Sequence, residues 1–369
     1  MEVPFIDLKR QYAYLKDEIS LAISSVMENA DFVLGKGVSD FESSLAAACG
    51  VKHCVAVNTG TSALVIALRT MRIGPGDEVL LPAHTFIATA EAILSVGAIP
   101  VFVDIADGSY AIDLIDAEKK VTQKTKAIIP VHIYGQMVPM DGVMVFAKLH
   151  NLQVLEDACQ AYGAFQNGKQ PGAFGVAAAF SFYPGKNLGA YGEGGALITN
   201  DDRIAMEARA LRNHGCYERY VHVMLGYNMR MDGIQGAILS VKLKYISHWN
   251  KLRNEHAAYY REQLSGVGDV TVETIANGNI SNMHLFVIQT AQRDALQHFL
   301  IQKGVSTGIH YPVSLHLQKA LEHLDYSVGD LPRTEAVCKR ILSLPMFPEM
   351  TREEMDYTIA CIKEFYVSY

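Results

Sequence analysis

The chain has 369 residues, half of them hydrophobic, with 32 Lys and Arg against 39 Asp and Glu for a formal charge of −7. That length holds about two domains with a substantial core and excludes a disordered chain, and an acidic balance without a Lys/Arg cluster excludes nucleic acid as a partner. Six scattered cysteines without a Cys-x-x-Cys pair predict reduced thiols and no metal site.

Residues 11–29 carry Tyr14, Leu15, Ile19, Ala22, Ile23 and Val26 at helical spacing. They predict a helix packed outside the main core, followed by a turn from Asp31 to Gly37. The N-terminus has no basic region followed by an apolar run, so no signal peptide is expected. The longest apolar stretch, Val79 to Ile105, is broken by Pro82, His84, Glu91, Pro100 and Asp104, which excludes a membrane span. A cytoplasmic, soluble protein is expected.

From residue 51 short apolar runs alternate with helical segments. The runs are Cys54–Val57, Glu78–Leu81, Ile99–Val103, Ala127–Val131, Leu152–Leu155, Ala177–Phe180 and Ala196–Thr199. Seven such runs predict an α/β fold with a mainly parallel sheet covered on both faces, whose ligands bind at the carboxyl ends of the strands. Beyond 230 a long helical region gives way to a mixed segment with a strand over 282–288 and helices over 294–303 and 353–366. The expected division is residues 1–248, the N-terminal helix and large domain, and residues 249–369, a small α+β domain.

The strand ends carry the chemistry. After the first, Asn58-Thr-Gly-Thr-Ser62 opens a helix, so the amides of Gly60, Thr61 and Ser62 would hold a phosphate at the positive helix end; an ordinary helix cap would use the same residues. Phe86 follows the second run and would stack on a planar ring or fill core. Asp157 ends another apolar strand, where a buried carboxylate needs a cation: a salt-bridge partner, or a protonated pyridine nitrogen. Lys186 lies in Ser181-Phe-Tyr-Pro-Gly-Lys-Asn-Leu-Gly-Ala-Tyr-Gly-Glu-Gly-Gly195, between an apolar run and a glycine-dense turn. A desolvated lysine there would lose its proton and attack a carbonyl; a solvated lysine on a surface loop is the plainer alternative. A phosphate-binding P-loop fails, because Phe180 and Asn187 stand where it needs glycine and Ser or Thr. Taken together, the groups describe a planar pyridine bearing a phosphate and an aldehyde, pyridoxal 5′-phosphate.

Over nearly its whole length the chain resembles the DegT/DnrJ/EryC1/StrS sugar aminotransferases, members of the aspartate aminotransferase-like fold of pyridoxal-phosphate enzymes. The likeness runs through Pro4-Phe-Ile-Asp-Leu, Asn58-Thr-Gly-Thr-Ser-Ala-Leu, Gly74-Pro-Gly-Asp-Glu-Val, Pro130-Val-His-Ile-Tyr-Gly-Gln, Glu156-Asp-Ala-Cys-Gln-Ala, the lysine stretch, Gly226-Tyr-Asn-Met-Arg-Met-Asp and His310-Tyr-Pro. It implies that Lys186 forms the internal aldimine, Asp157 pairs with the pyridine nitrogen, Gln160 bonds the ring oxygen and Phe86 stacks on the ring. It also implies that Gly60, Thr61 and Ser181 hold the phosphate, with Asn228 reaching it from the other subunit of a homodimer. Lysine rather than histidine at 186 favours transamination over dehydration.

The lysine stretch and His-Tyr-Pro resemble enzymes that aminate C-3 of dTDP-linked 3-keto-6-deoxyhexoses with L-glutamate, in making a surface glycan or a glycosylated natural product. A 4-keto-hexose or a UDP-linked 3-keto-uronic acid is the alternative substrate, and a non-catalytic regulatory homologue would have lost Lys186 or Asp157. Tyr183, Tyr191, His310, Tyr311 and His316 are the candidates for touching sugar or nucleotide, since they flank the lysine loop or form the aromatic and histidine-rich turn of the second domain.

Overall fold

The computed structural model describes residues 1–368. All seven expected strands form: β1 (His53–Val57), β2 (Glu78–Pro82), β3 (Ile99–Val103), β4 (Thr125–Ile128), β5 (Gln153–Asp157), β6 (Ala177–Ser181) and β7 (Gly195–Thr199). They make one sheet in the order β1-β7-β6-β5-β4-β2-β3, with only β7 antiparallel to its neighbours. The two faces are read off alternate residues. Ala177 and Ala179 enter one core with Ala63, Leu64 and Ala67 of helix Gly60–Thr70, while Ala178 and Phe180 enter the other. A strand buried on both faces must be apolar throughout, which is why these runs carry no polar alternation.

The helix Leu8–Asn29 is not outside the core: Leu15 and Ile19 are buried with Phe41 and Leu45 of a second helix, Gly35–Cys49. That second helix takes over the end of the turn expected over 31–37, from Gly35 on, because Val38, Phe41, Leu45 and Cys49 form an apolar stripe at helical spacing. The helix after β2 begins only at Ala88, which leaves Thr85 and Phe86 in the loop at the sheet edge.

Helix Ile246–Leu264 crosses from one body to the other. Ile246 and Trp249 belong to the core of the large sheet, and Ala257, Tyr260 and Leu264 to a separate core beneath a three-stranded antiparallel sheet of Thr271–Val272, Phe286–Gln289 and Ile341–Leu344. Helices Arg293–Gln302 and Arg352–Ser368 cover that sheet. The strand expected over 282–288 starts only at Phe286. Asn282 is buried and gives its amide to the carbonyls of Gln160 and Tyr162, so this stretch ties the two bodies together instead of joining a ladder. The N-terminal residues also join the small body: Val3 pairs with Val305 and is buried in its core.

Candidate active site

The carboxyl ends of β1, β2, β5 and β6 face the small body across a cleft of about 700 Å³. Thr59, Gly60 and Thr61 line it from β1, Phe86 from β2, Asp157 and Gln160 from β5, and Ser181, Tyr183 and Lys186 from β6; His310 and Tyr311 close it from the other side. Parallel strands deliver their ends to one edge of the sheet, so residues more than a hundred positions apart meet there.

Lys186 is held by its backbone, whose amide donates to the Tyr183 carbonyl at 2.8 Å. Its Nζ makes no hydrogen bond or ion pair with the described residues, and burial lowers its pKa below the usual lysine value, against the weaker opposing pull of Cys159 and Asp157. An amine in that state is more often uncharged and free to react. The surface-loop alternative therefore fails.

Asp157 is 5% exposed. Thr89 Oγ1 donates to its Oδ2 at 2.7 Å and the Cys159 amide to its Oδ1 at 3.2 Å, but no cation lies within ion-pair distance among the described residues. The salt-bridge alternative fails too, and the carboxylate is left aimed at the cleft with its charge uncompensated. Gly60 sits so close to Ser181 and Cys159 that an added Cβ would lie 2.7 and 2.8 Å from their side chains. Gly195 is similar, with a Cβ 2.3 Å from the backbone of Thr59. These glycines let the lysine strand, the antiparallel β7 and the helix end converge without side chains filling the space above them.

A buried carboxylate without a cation, a free amine, a helix N-terminus and a half-exposed Phe86 ring fit the ring nitrogen, aldehyde, phosphate and flat face of pyridoxal phosphate. The family model of the DegT/DnrJ/EryC1/StrS aminotransferases matches residues 13–363. The chain belongs to that family. It is a pyridoxal-phosphate-dependent nucleotide-sugar aminotransferase. It is 47% identical, over 99% of both chains, to a pleiotropic regulatory protein of Geobacillus stearothermophilus. It is 43% identical to a UDP-N-acetyl-3-dehydro-alpha-D-glucosamine 3-aminotransferase of Acidithiobacillus ferrooxidans, over 98% of this chain and 96% of that one. A dTDP-3-amino-3,6-dideoxy-alpha-D-galactopyranose transaminase of Aneurinibacillus thermoaerophilus is 41% identical over 98% and 99%. Among solved structures, DesV of S. venezuelae superposes with a TM-score of 0.97 at 40% identity, covering 99% of this chain and 98% of its own.

Not every expected residue reaches the cleft. Ser62 is buried, and both its amide and its hydroxyl are taken by the capping Thr59 side chain, at 2.9 Å each, so Thr59 and not Ser62 faces the site. His316 is 2% exposed and spanned by Ser314 Oγ at 2.7 Å and Glu335 at 3.1 Å, which makes it a structural tie away from the cleft. Tyr191 does not line the cleft; it packs against Tyr12, with Lys242 over its ring. Asn228 is exposed and outside this chain's own cleft wall.

Gln160 accepts from the Tyr134 amide at 2.6 Å and donates to the Tyr311 hydroxyl at 3.3 Å, so its orientation is set before any ligand arrives. Tyr311 lies 5.4 Å from the Phe86 ring. His310 is braced by Ser343 at 2.9 Å and by the Phe5 ring, and burial pushes its pKa down to about 4, with Lys186 adding to the effect. It is neutral at physiological pH. Sequence reasoning missed Thr89, Phe5, His284 and Arg253. Phe5 stands in one of the recognised motifs and His284 in the strand expected over 282–288, but nothing local marked these residues, or Thr89 and Arg253, as part of a site.

No helix of the described residues is long and apolar enough to cross a membrane.

Proposed function

We propose that the enzyme moves an amino group from L-glutamate to C-3 of a dTDP-linked 3-keto-6-deoxyhexose, as a homodimer in which Asn228 completes the neighbouring subunit's site. The observation that carries a transfer reaction is the unpartnered Lys186 amine, its pKa lowered by burial, lining the same cleft as the Asp157 carboxylate, which has no cation within ion-pair distance. Support for C-3 comes from relatives over 40% identical along nearly the whole chain that are named for 3-amino sugars.

When bound, the cofactor's conjugated ring carries the substrate nitrogen and spreads the electron pair left on the reacting carbon. This chain's residues do the rest. Lys186 would hold the aldehyde end of the cofactor and, as a neutral amine, would take up and return a proton at the substrate carbon. Asp157 keeps the ring nitrogen protonated, and Thr89 and the Cys159 amide fix that carboxylate in place. Gly60, Thr61 and Ser181 line the place where the phosphate would sit. Because one cleft serves both the amino acid and the sugar, ping-pong kinetics are expected.

A UDP-linked 3-keto sugar is the second reading, favoured by the Acidithiobacillus relative. Incubation of the enzyme with L-glutamate and a panel of dTDP- and UDP-linked 3-keto and 4-keto sugars, followed by NMR of the product, separates them. Nitrogen on C-3 of the dTDP sugar is expected; nitrogen on C-4, or turnover of UDP sugars alone, would overturn the assignment.

A further inference from the structure

Of the motif Pro130-Val-His-Ile-Tyr-Gly-Gln only Val131 lines the cleft, yet Tyr134, buried behind it, reaches two residues that do. Strand β4 lies between β2 and β5, so the loops that carry Tyr134, His84 and Gln160 are neighbours. Tyr134 has a φ of 58° and a ψ of 5°, a left-handed conformation uncommon for a tyrosine and kept only where the surroundings hold it. In that conformation its amide donates to Gln160 Oε1 at 2.6 Å, and its carbonyl accepts from the Leu285 amide of the small body at 3.4 Å. Its hydroxyl donates to the His310 carbonyl. Gln160 Nε2 donates in turn to the Tyr311 hydroxyl at 3.3 Å. The bonds close a ring through Tyr134, Gln160, Tyr311 and, one peptide bond back, His310.

A phenol has a single proton. Tyr134 spends it on His310, so His84 Nε2, which lies 2.7 Å from the Tyr134 oxygen, is the donor in that contact. Burial lowers the His84 pKa to about 4 and raises that of Tyr134, so the imidazole is neutral and the phenol keeps its proton. With the imidazole proton on Nε2, Nδ1 is left as an acceptor and faces the Cys338 thiol at 3.9 Å. The donors therefore run one way, from Cys338 through His84 and Tyr134 to the His310 carbonyl. Such a satisfied buried chain is rigid. Ser343 and Phe5 brace the His310 ring, whereas the Tyr134 hydroxyl ties the backbone of that turn to the large sheet.

We propose that Tyr134 is a positioning residue for the sugar: its hydroxyl, oriented by His84, holds the His310–Tyr311 turn in register with Gln160 and so sets the sugar half of the cleft. The proposal rests on the transamination above and on His310 and Tyr311 as sugar contacts. Gln160 is reached through the Tyr134 amide and not through its hydroxyl, so removing the hydroxyl alone separates the two half-reactions.

The test is Tyr134→Phe in the holoenzyme. Loss of one buried hydrogen bond should raise the KM for the keto sugar about tenfold, while kcat and the half-reaction with L-glutamate, followed by absorbance, stay within about twofold. A readout without turnover is hydrogen exchange at Gly308 and Leu315, whose amides flank the turn and bond to the Ser343 and Ala83 carbonyls at 3.0 and 3.2 Å. Exchange there should quicken in Y134F, with the Lys186 and Ala190 amides unchanged. Should Y134F not fold, His84→Leu, which takes the donor from the Tyr134 oxygen, should raise the sugar KM, and His84→Gln, which can return an N–H there, should restore most of it. An unchanged sugar KM, or a donor half-reaction slowed as much as the sugar is weakened, overturns the proposal. Failure of the underlying function would look different: exchange at Gly308 and Leu315 would still quicken in Y134F, but the wild-type enzyme would aminate no keto sugar.

Discussion

Lys186 and Asp157 show how a pair of side chains acquires reactivity from what they lack. A buried carboxylate normally finds a cation and a buried lysine an acid; here Asp157 has only neutral donors, and Lys186 has no partner for Nζ. The folded cofactor-free protein therefore resists protonating Lys186, whereas the unfolded chain does not. Between the lowered pKa and the ordinary lysine value of 10.5, the unfolded state binds the extra proton, so stability rises with pH across that window. Below it the native state carries the full cost of charging a dry amine. In Lys186→Met that cost is gone: the cofactor-free variant should melt higher than the cofactor-free parent near neutral pH, with the gap closing toward pH 10. Melting curves from pH 7 to 10 that run parallel would contradict the role given to burial.

At the level of elements, the N-terminal segment was the least legible. Its motif, Pro4-Phe-Ile-Asp-Leu, pointed to a family but not to a place. The backbone of Val3 bonds to Gly304 and Ser306, each at 2.9 Å, Asp7 caps helix Leu8–Asn29, and Arg10 grips Glu354 through two hydrogen bonds of 2.9 and 2.6 Å. These ties hold Phe5 against His310 in the cleft wall. Phe5→Ala should cost about 1 kcal/mol of ring contact and loosen His310, so the KM for the sugar should rise more than kcat falls. An unchanged sugar KM would show that the segment only covers the cleft.

The strands were legible because a sheet buried on both faces demands continuous apolar runs, and the Lys186, Asp157 and Gly60 positions because each breaks a local rule at a strand end. Two other kinds of feature were not. Helix Gly35–Cys49 follows a glycine-containing segment that read as a turn, although its stripe of Val38, Phe41 and Leu45 was present. His316 and Ser62 have the right chemistry, but other groups claim them: Glu335 holds His316, and Ser62 is taken by the local N-cap Thr59, the plainer alternative its sequence position already offered. Arg253 is the converse: a lone arginine in a helix, held in the cleft wall by three carbonyls that residues 283, 284 and 346 supply.

For the whole molecule, the cleft lies between a large sheet that carries most of the proposed cofactor contacts and a small body that adds His310, Tyr311 and Arg253, while Asn228 stands exposed outside its own chain's cleft. The proposed dimer predicts complementation. Lys186→Ala and Asn228→Ala subunits, each poorly active alone, should regain activity when unfolded and refolded together, since half of the sites in mixed dimers would have both residues. Mixtures no more active than their components would mean that Asn228 does not serve the partner. The account as a whole depends on Lys186, and the most direct measurement is borohydride reduction of the purified holoenzyme followed by peptide mass mapping. It predicts loss of the visible absorbance and the cofactor's mass on the peptide containing Lys186; a cofactor fixed to another lysine, or to none, would contradict it.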